Sequence, residues 1–85
     1  MRHFANADFW DAYGRLPAHI QRLARKNFKL LKADLQHPSL QFKNVGAHWS
    51  ARVGISHRAL AVKAPDGFVW FWIGTHADYD RIIGG

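Results

Sequence analysis

The densest group of reactive side chains in the sequence follows Thr75, where His76, Tyr79, Asp80 and Arg81 come in close succession. Histidine titrates near neutrality and can take or give a proton at a reacting atom. Thr75 reads as a helix N-cap whose hydroxyl accepts a first-turn backbone N–H, and Asp78 three residues on completes a capping-box-like arrangement. His76 then stands at the positive end of a helix dipole, which favours the neutral imidazole and makes it available as a base. Tyr79, one turn later on the same helix face, is spaced to stack on a base or orient a hydroxyl. The competing reading is that His76 and Tyr79 only cap a sheet edge.

The element that must present this group precedes it. Phe68 to Ile73 are all apolar, opened by Pro65-Asp66-Gly67 and closed by Gly74, which predicts a buried central strand running into a short terminal helix. Upstream, Phe9, Trp10 and Tyr13 suggest a short helix within Phe4 to Tyr13, capped by Asn6 or Asp8 and ended by Gly14. Leu16, Ile20, Leu23, Ala24, Phe28, Leu31 and Leu35 recur at three- and four-residue steps. That stripe predicts an amphipathic helix with Pro17 at its first position and an end near Gln36, because His37 precedes Pro38. Past Pro38 the period changes to two. Leu40, Phe42 and Val45 suggest one strand, Trp49, Ala51, Val53 and Ile55 a second with Ser50 and Arg52 on its wet face, and His57 to Ala64 a third with Arg58 on the side of Leu60 and Val62. The expected fold is α+β, with a two-helix hairpin packed on an antiparallel sheet of three to four strands and a short C-terminal helix.

Composition narrows the function classes. The chain has 85 residues, so residues 1–85 are expected to form one domain around one core. There is no cysteine, no apolar run long enough to span a membrane and no apolar signal-peptide core after Met1, which together suit a cytoplasmic protein that does not associate with membranes. Twelve Lys and Arg against six Asp and Glu give a net charge of +6. No acid interrupts the basic residues from Arg15 to Lys32, or those from Lys43 to Lys63. Nucleic acid or an acidic protein is therefore the expected partner, against the plainer reading of a solvated basic face.

The order and spacing of several short segments carry a resemblance that covers nearly the whole chain. They are Leu16-Pro17 before the long helix, His37-Pro38 after it, Phe42-Lys43-Asn44-Val45-Gly46, Trp49-Ser50-Ala51-Arg52-Val53-Gly54, His57-Arg58-Ala59-Leu60, and Trp72-Ile73-Gly74-Thr75-His76 with Tyr79. Together they resemble the RelE/ParE superfamily of bacterial toxins. The resemblance implies the toxin of a type II toxin–antitoxin pair, neutralised by a cognate antitoxin through an acidic or amphipathic segment. RelE-like members cut mRNA on the ribosome, and ParE-like members inhibit DNA gyrase. The chain departs from the pattern in two ways: the usual first strand is hard to find, unless Arg2 to Ala5 supply it, and histidines stand where RelE concentrates lysines and arginines.

Cleaving RNA by side-chain chemistry needs a base for the 2′-hydroxyl, a cation for the pentavalent phosphorane and an acid for the 5′-oxygen. His76 is the expected base. Arg58, at the family's Tyr-Arg position, is the expected clamp, because a guanidinium grips phosphate oxygens bidentately. Tyr79 completes the catalytic group. Lys43 and Arg52 extend the positive wall for RNA, and His48 or His57 share the acid–base work or the RNA contacts. Arg52 and Arg58 equally suit anchors for an antitoxin, and His57 a plain turn residue. No cofactor is expected: the histidines lack the clustered spacing of zinc ligands, and no serine elbow or cysteine supports a nucleophilic triad. The aromatic strand fits a core better than an RRM-type stacking platform, whose strand order differs. A gyrase inhibitor, or a degenerate toxin that binds only its antitoxin, are the alternatives to a ribosome-dependent endoribonuclease.

Overall fold

The computed structural model describes residues 2–84, in the order β1 (Arg2–Ala5), α1 (Ala7–Gly14), α2 (Ala18–Ala33), a 3-10 turn (Pro38–Leu40), β2 (Lys43–Val45), β3 (His48–Val53), β4 (His57–Ala64), β5 (Gly67–Thr75) and α3 (His76–Gly84). The five strands form one sheet in the order β1-β5-β4-β3-β2. The expected α+β fold is present. The sheet is wider than expected and mixed, because Arg2–Ala5 pairs parallel with β5, from Arg2 opposite Gly67 to Ala5 opposite Trp70. Gly67 is what lets β1 in: a Cβ there would run into the Arg2 carbonyl oxygen. The first helix consequently starts later than Phe4, after Asn6, whose side chain accepts the Phe9 N–H at 3.0 Å.

The aromatic strand is interior but not central, since β4 occupies the middle of the sheet. Nor is it dry on both faces. Phe68, Trp70 and Ile73 are buried, while Val69, Phe71 and Trp72 are only half-buried. A register shift between Leu60 and Ala61 moves Phe71 out of the pairing.

The helices cover one sheet face, where Tyr13, Ala24, Leu31 and Leu40 pack with Ala51, Val53, Ala59, Ala61, Phe68, Trp70 and Ile73. Tyr13 also ties the hairpin together. Gln21 Nε2 donates to its carbonyl at 3.0 Å, and Arg25 Nε donates to its hydroxyl at 2.8 Å. Along α2 the stripe holds for Ile20, Ala24 and Leu31, but Phe28 is exposed. Pro17 sits one place before the helix, whose end comes at Ala33 rather than near Gln36. The reason is Asp34, which leaves helical geometry and accepts the Gln36 N–H at 3.1 Å through its side chain. The expected strand from Leu40 is shortened for a similar reason. Pro38–Leu40 close a 3-10 turn, Gln41 takes a left-handed φ of 43°, and β2 begins only at Lys43.

Candidate functional site

Strand register brings the site together on the face away from α1 and α2. Lys43, Ser50, Leu60 and Trp72 are successive cross-strand neighbours, and next to them run Arg52, Arg58 and Gly74. Side chains opposite one another share a face, so Lys43, Arg52 and Arg58 lie on one side of the sheet, as expected. His48 lies on that side too, four residues along β3 from Arg52, with its ring 5.2 Å from Phe71. His57 does not. It pairs with Val53, whose side chain belongs to the helix-side core, so the pleat turns its imidazole towards α2. There Ser56 Oγ lies 2.7 Å from its Nδ1, and burial, followed by the charge of nearby His19, lowers its pKa.

At the end of β5 the chain turns across this face. Thr75 Oγ1 accepts the Asp78 N–H at 3.2 Å, as the capping pattern predicts, and the His76 N–H donates to Ser56 O at 2.8 Å. The Asp78 carboxylate pairs instead with Arg81, leaving the capping box half made. Gly74 is required by a close approach, because a Cβ there would stand 2.5 Å from the Trp72 ring. α3 then lays Tyr79 over Arg58, with the guanidinium carbon 5.2 Å from the ring centre. The His76 ring is 5.5 Å from the Tyr79 ring, and its Nε2 is 3.5 Å from Asp80 Oδ1. His76 is thus exposed with a carboxylate partner one turn away, which the dipole reasoning had not included.

Burial of the arginine was not legible in the sequence. Arg58 is 5% exposed and Tyr79 is 3% exposed. The guanidinium donates from Nη1 to Ser50 Oγ at 3.1 Å and from Nη2 to Gln41 Oε1 at 2.9 Å. Among the described residues it forms no salt bridge, and its Nε and the Tyr79 hydroxyl are buried without hydrogen-bond partners. Ser50, expected on a wet face, is fully buried beneath it. Gln41 and Ser50 are therefore site residues that sequence reasoning missed. The only local signals were a serine two places before Arg52 and a glutamine just past the Pro38 turn. Arg52 is held apart, its Nε donating to Gly54 O at 2.8 Å, and Lys43 is exposed. Among the described residues no three His, Cys, Asp or Glu side chains gather as a metal site would require.

No protein-family model matches the sequence, and no curated protein sequence matches it. Solved structures do. A chain of the RelB-RelE antitoxin-toxin complex from Methanococcus jannaschii superposes with a TM-score of 0.71 at 15% identity, covering 92% of this chain and 96% of that one. The YoeB/ParE toxin from Agrobacterium tumefaciens gives 0.67 at 15% identity over 89% of this chain and 99% of its own. The chain has the RelE/ParE toxin fold. A copper-bound mutant toxin from Helicobacter pylori gives 0.63 at 10% identity, covering 92% and 97% of the two chains. Arg2–Ala5 supply the first strand that was hard to find in the sequence. Among the described residues no helix is long and apolar enough to cross a membrane.

Proposed function

We propose that this chain is the toxin of a type II toxin–antitoxin pair and acts as a ribosome-dependent mRNA endoribonuclease. The observation that carries the reading is the meeting of Arg58, Tyr79 and His76 at one end of the sheet, on the face that also bears Lys43, Arg52 and His48. His76, steadied by Asp80, takes the proton of the attacking 2′-hydroxyl. Arg58, aimed by Ser50 and Gln41, holds the phosphorane oxygens as charge develops on them. Tyr79 stacks on a base, and Lys43, Arg52 and His48 carry the strand. His48 stands about 13 Å along β3 from Arg52, at about 3.3 Å per residue. His57 is on the other face. The proton for the 5′-oxygen therefore comes from water or the ribosome rather than from either of them. An antitoxin neutralises the chain by laying an acidic or amphipathic segment on this basic surface; the RelB-RelE complex among the matching structures supports such a partner.

One observation favours a second reading, inhibition of DNA gyrase. A buried Arg58 is of no use as a clamp while Tyr79 covers it, and a gyrase inhibitor needs no proton transfer. Induced expression separates the two. The nuclease reading expects translation arrest with cut mRNA, lost in His76→Ala and Arg58→Ala. Intact mRNA with broken chromosomal DNA and an SOS response would establish the gyrase reading, and no arrest by the unaltered chain would mean a binding-only remnant.

A further inference from the structure

We propose that α3 is a lid: Tyr79 plugs the Arg58 site in the free chain, and a phosphate-bearing ligand reaches the guanidinium only by displacing it. The inference rests on the reading of Arg58 as an anion site and adds how that site is regulated. Three independent features carry it.

The first is the charge. Arg58 is buried with two neutral acceptors, Ser50 Oγ and Gln41 Oε1, and, among the described residues, no carboxylate. A guanidinium removed from water without a counter-anion is an incomplete arrangement. A phosphoryl oxygen supplies what is missing, since Nε remains free to donate. The second feature is the plug. Tyr79 fills the anion's place with a ring face, but its own hydroxyl finds no partner among the described residues, so the closed state leaves two buried polar atoms unsatisfied, one on each residue.

The third feature is how lightly the lid is held. Tyr79 is the single buried residue of α3, and Ile82 and Ile83 at its far end are 43% and 38% exposed. Among the described residues its hydrogen-bonded attachments are at its start: the Thr75 cap and the bond from the His76 N–H to Ser56 O. A short helix anchored through its first residue and docked by one side chain can hinge about Thr75 and His76. The same motion keeps His76 beside the site and turns Tyr79 outward, where it can stack on a base.

Inorganic pyrophosphate is a suitable probe, with an Arg58→Ala chain to subtract binding elsewhere on the basic surface. A ligand that must first open a lid binds more weakly by the fraction of time the lid is open. For a lid open about a tenth of the time, Tyr79→Ala binds pyrophosphate about tenfold tighter than the unaltered chain. Adding Arg58→Ala abolishes the gain. A second measurement does not depend on how well that variant folds: in the unaltered chain, NMR contacts between the Tyr79 ring and Arg58 disappear on pyrophosphate saturation while the Arg58 Nε–H shifts. Equal or weaker binding by Tyr79→Ala, or persistence of the ring contact in the saturated chain, refutes the lid and leaves the anion site standing. Absence of Arg58-dependent binding in both chains refutes the lid and the phosphate clamp together. Neither result depends on whether mRNA is cut.

Discussion

Replacing Tyr79 with phenylalanine isolates one atom of the site and makes the molecule more stable. Among the described residues the phenol oxygen is buried without a partner, and the ring lies 5.2 Å over the Arg58 guanidinium, a contact that a phenylalanine ring can also make. In the unfolded chain that hydroxyl is hydrated, so folding forfeits its water bonds and returns nothing. A buried polar group left unsatisfied costs about 1–3 kcal/mol. Removing it recovers that cost, and a gain near the lower end corresponds to a rise in melting temperature of about 4–8 °C for a domain of this size. Urea or thermal denaturation followed by circular dichroism measures it directly. The hydroxyl is also hydrated when α3 is lifted, so the same free energy favours the closed lid over the open one. Each 1.4 kcal/mol of stabilisation should then weaken pyrophosphate binding at Arg58 by about tenfold. The two quantities move in opposite directions from one substitution. A Tyr79→Phe chain that melts below the unaltered one would show that the hydroxyl has a partner in the folded protein. Higher stability with unchanged anion affinity would show that α3 does not gate the arginine.

Two other outcomes follow from the core. His3 stacks 5.7 Å from Phe68, accepts the Trp70 Nε1–H at its Nδ1 at 3.1 Å, and has its pKa lowered first by burial and then by nearby positive charge, Lys32 included. The folded chain prefers the neutral ring, so this contribution is complete above the ordinary histidine value of about 6.5 and is lost as pH falls below it; melting temperature should drop between pH 8 and 5, and His3→Phe should flatten the drop. Gly67→Ala drives a Cβ into the Arg2 carbonyl and should cost about 2–3 kcal/mol by denaturant titration, with β1 amides exchanging fastest; unchanged stability would mean that β1 is not needed for folding.

The helix-forming stripe around Ile20, Ala24 and Leu31, the strand from Phe68 and the Thr75 cap are local patterns, and a local pattern can be read from spacing alone. The strand at Arg2–Ala5 is not of that kind. Four residues carry too little periodicity to be seen, and their pairing is with a segment more than sixty residues away, at Gly67–Trp70. Where the Pro38 turn displaced β2, a left-handed Gln41 set the boundary, and glutamine does not advertise that conformation.

For the site, the sequence by itself determined which residues are present and which share a strand face: alternation put Arg58 with Leu60, and helical spacing put Tyr79 one turn after His76. It determined the positive charge and the helix start that holds His76. Alternation separates two faces without saying which is covered, so only the tertiary structure decided that Ser50 is dry and that His57 turns towards α2. Only the tertiary structure laid α3 across the face and put Tyr79 on Arg58. The direction in which a helix leaves a strand is set by packing between elements distant in sequence, here the bond from His76 to the β3–β4 turn at Ser56. That bond fixes where α3 begins, and the Tyr79 ring then covers the guanidinium.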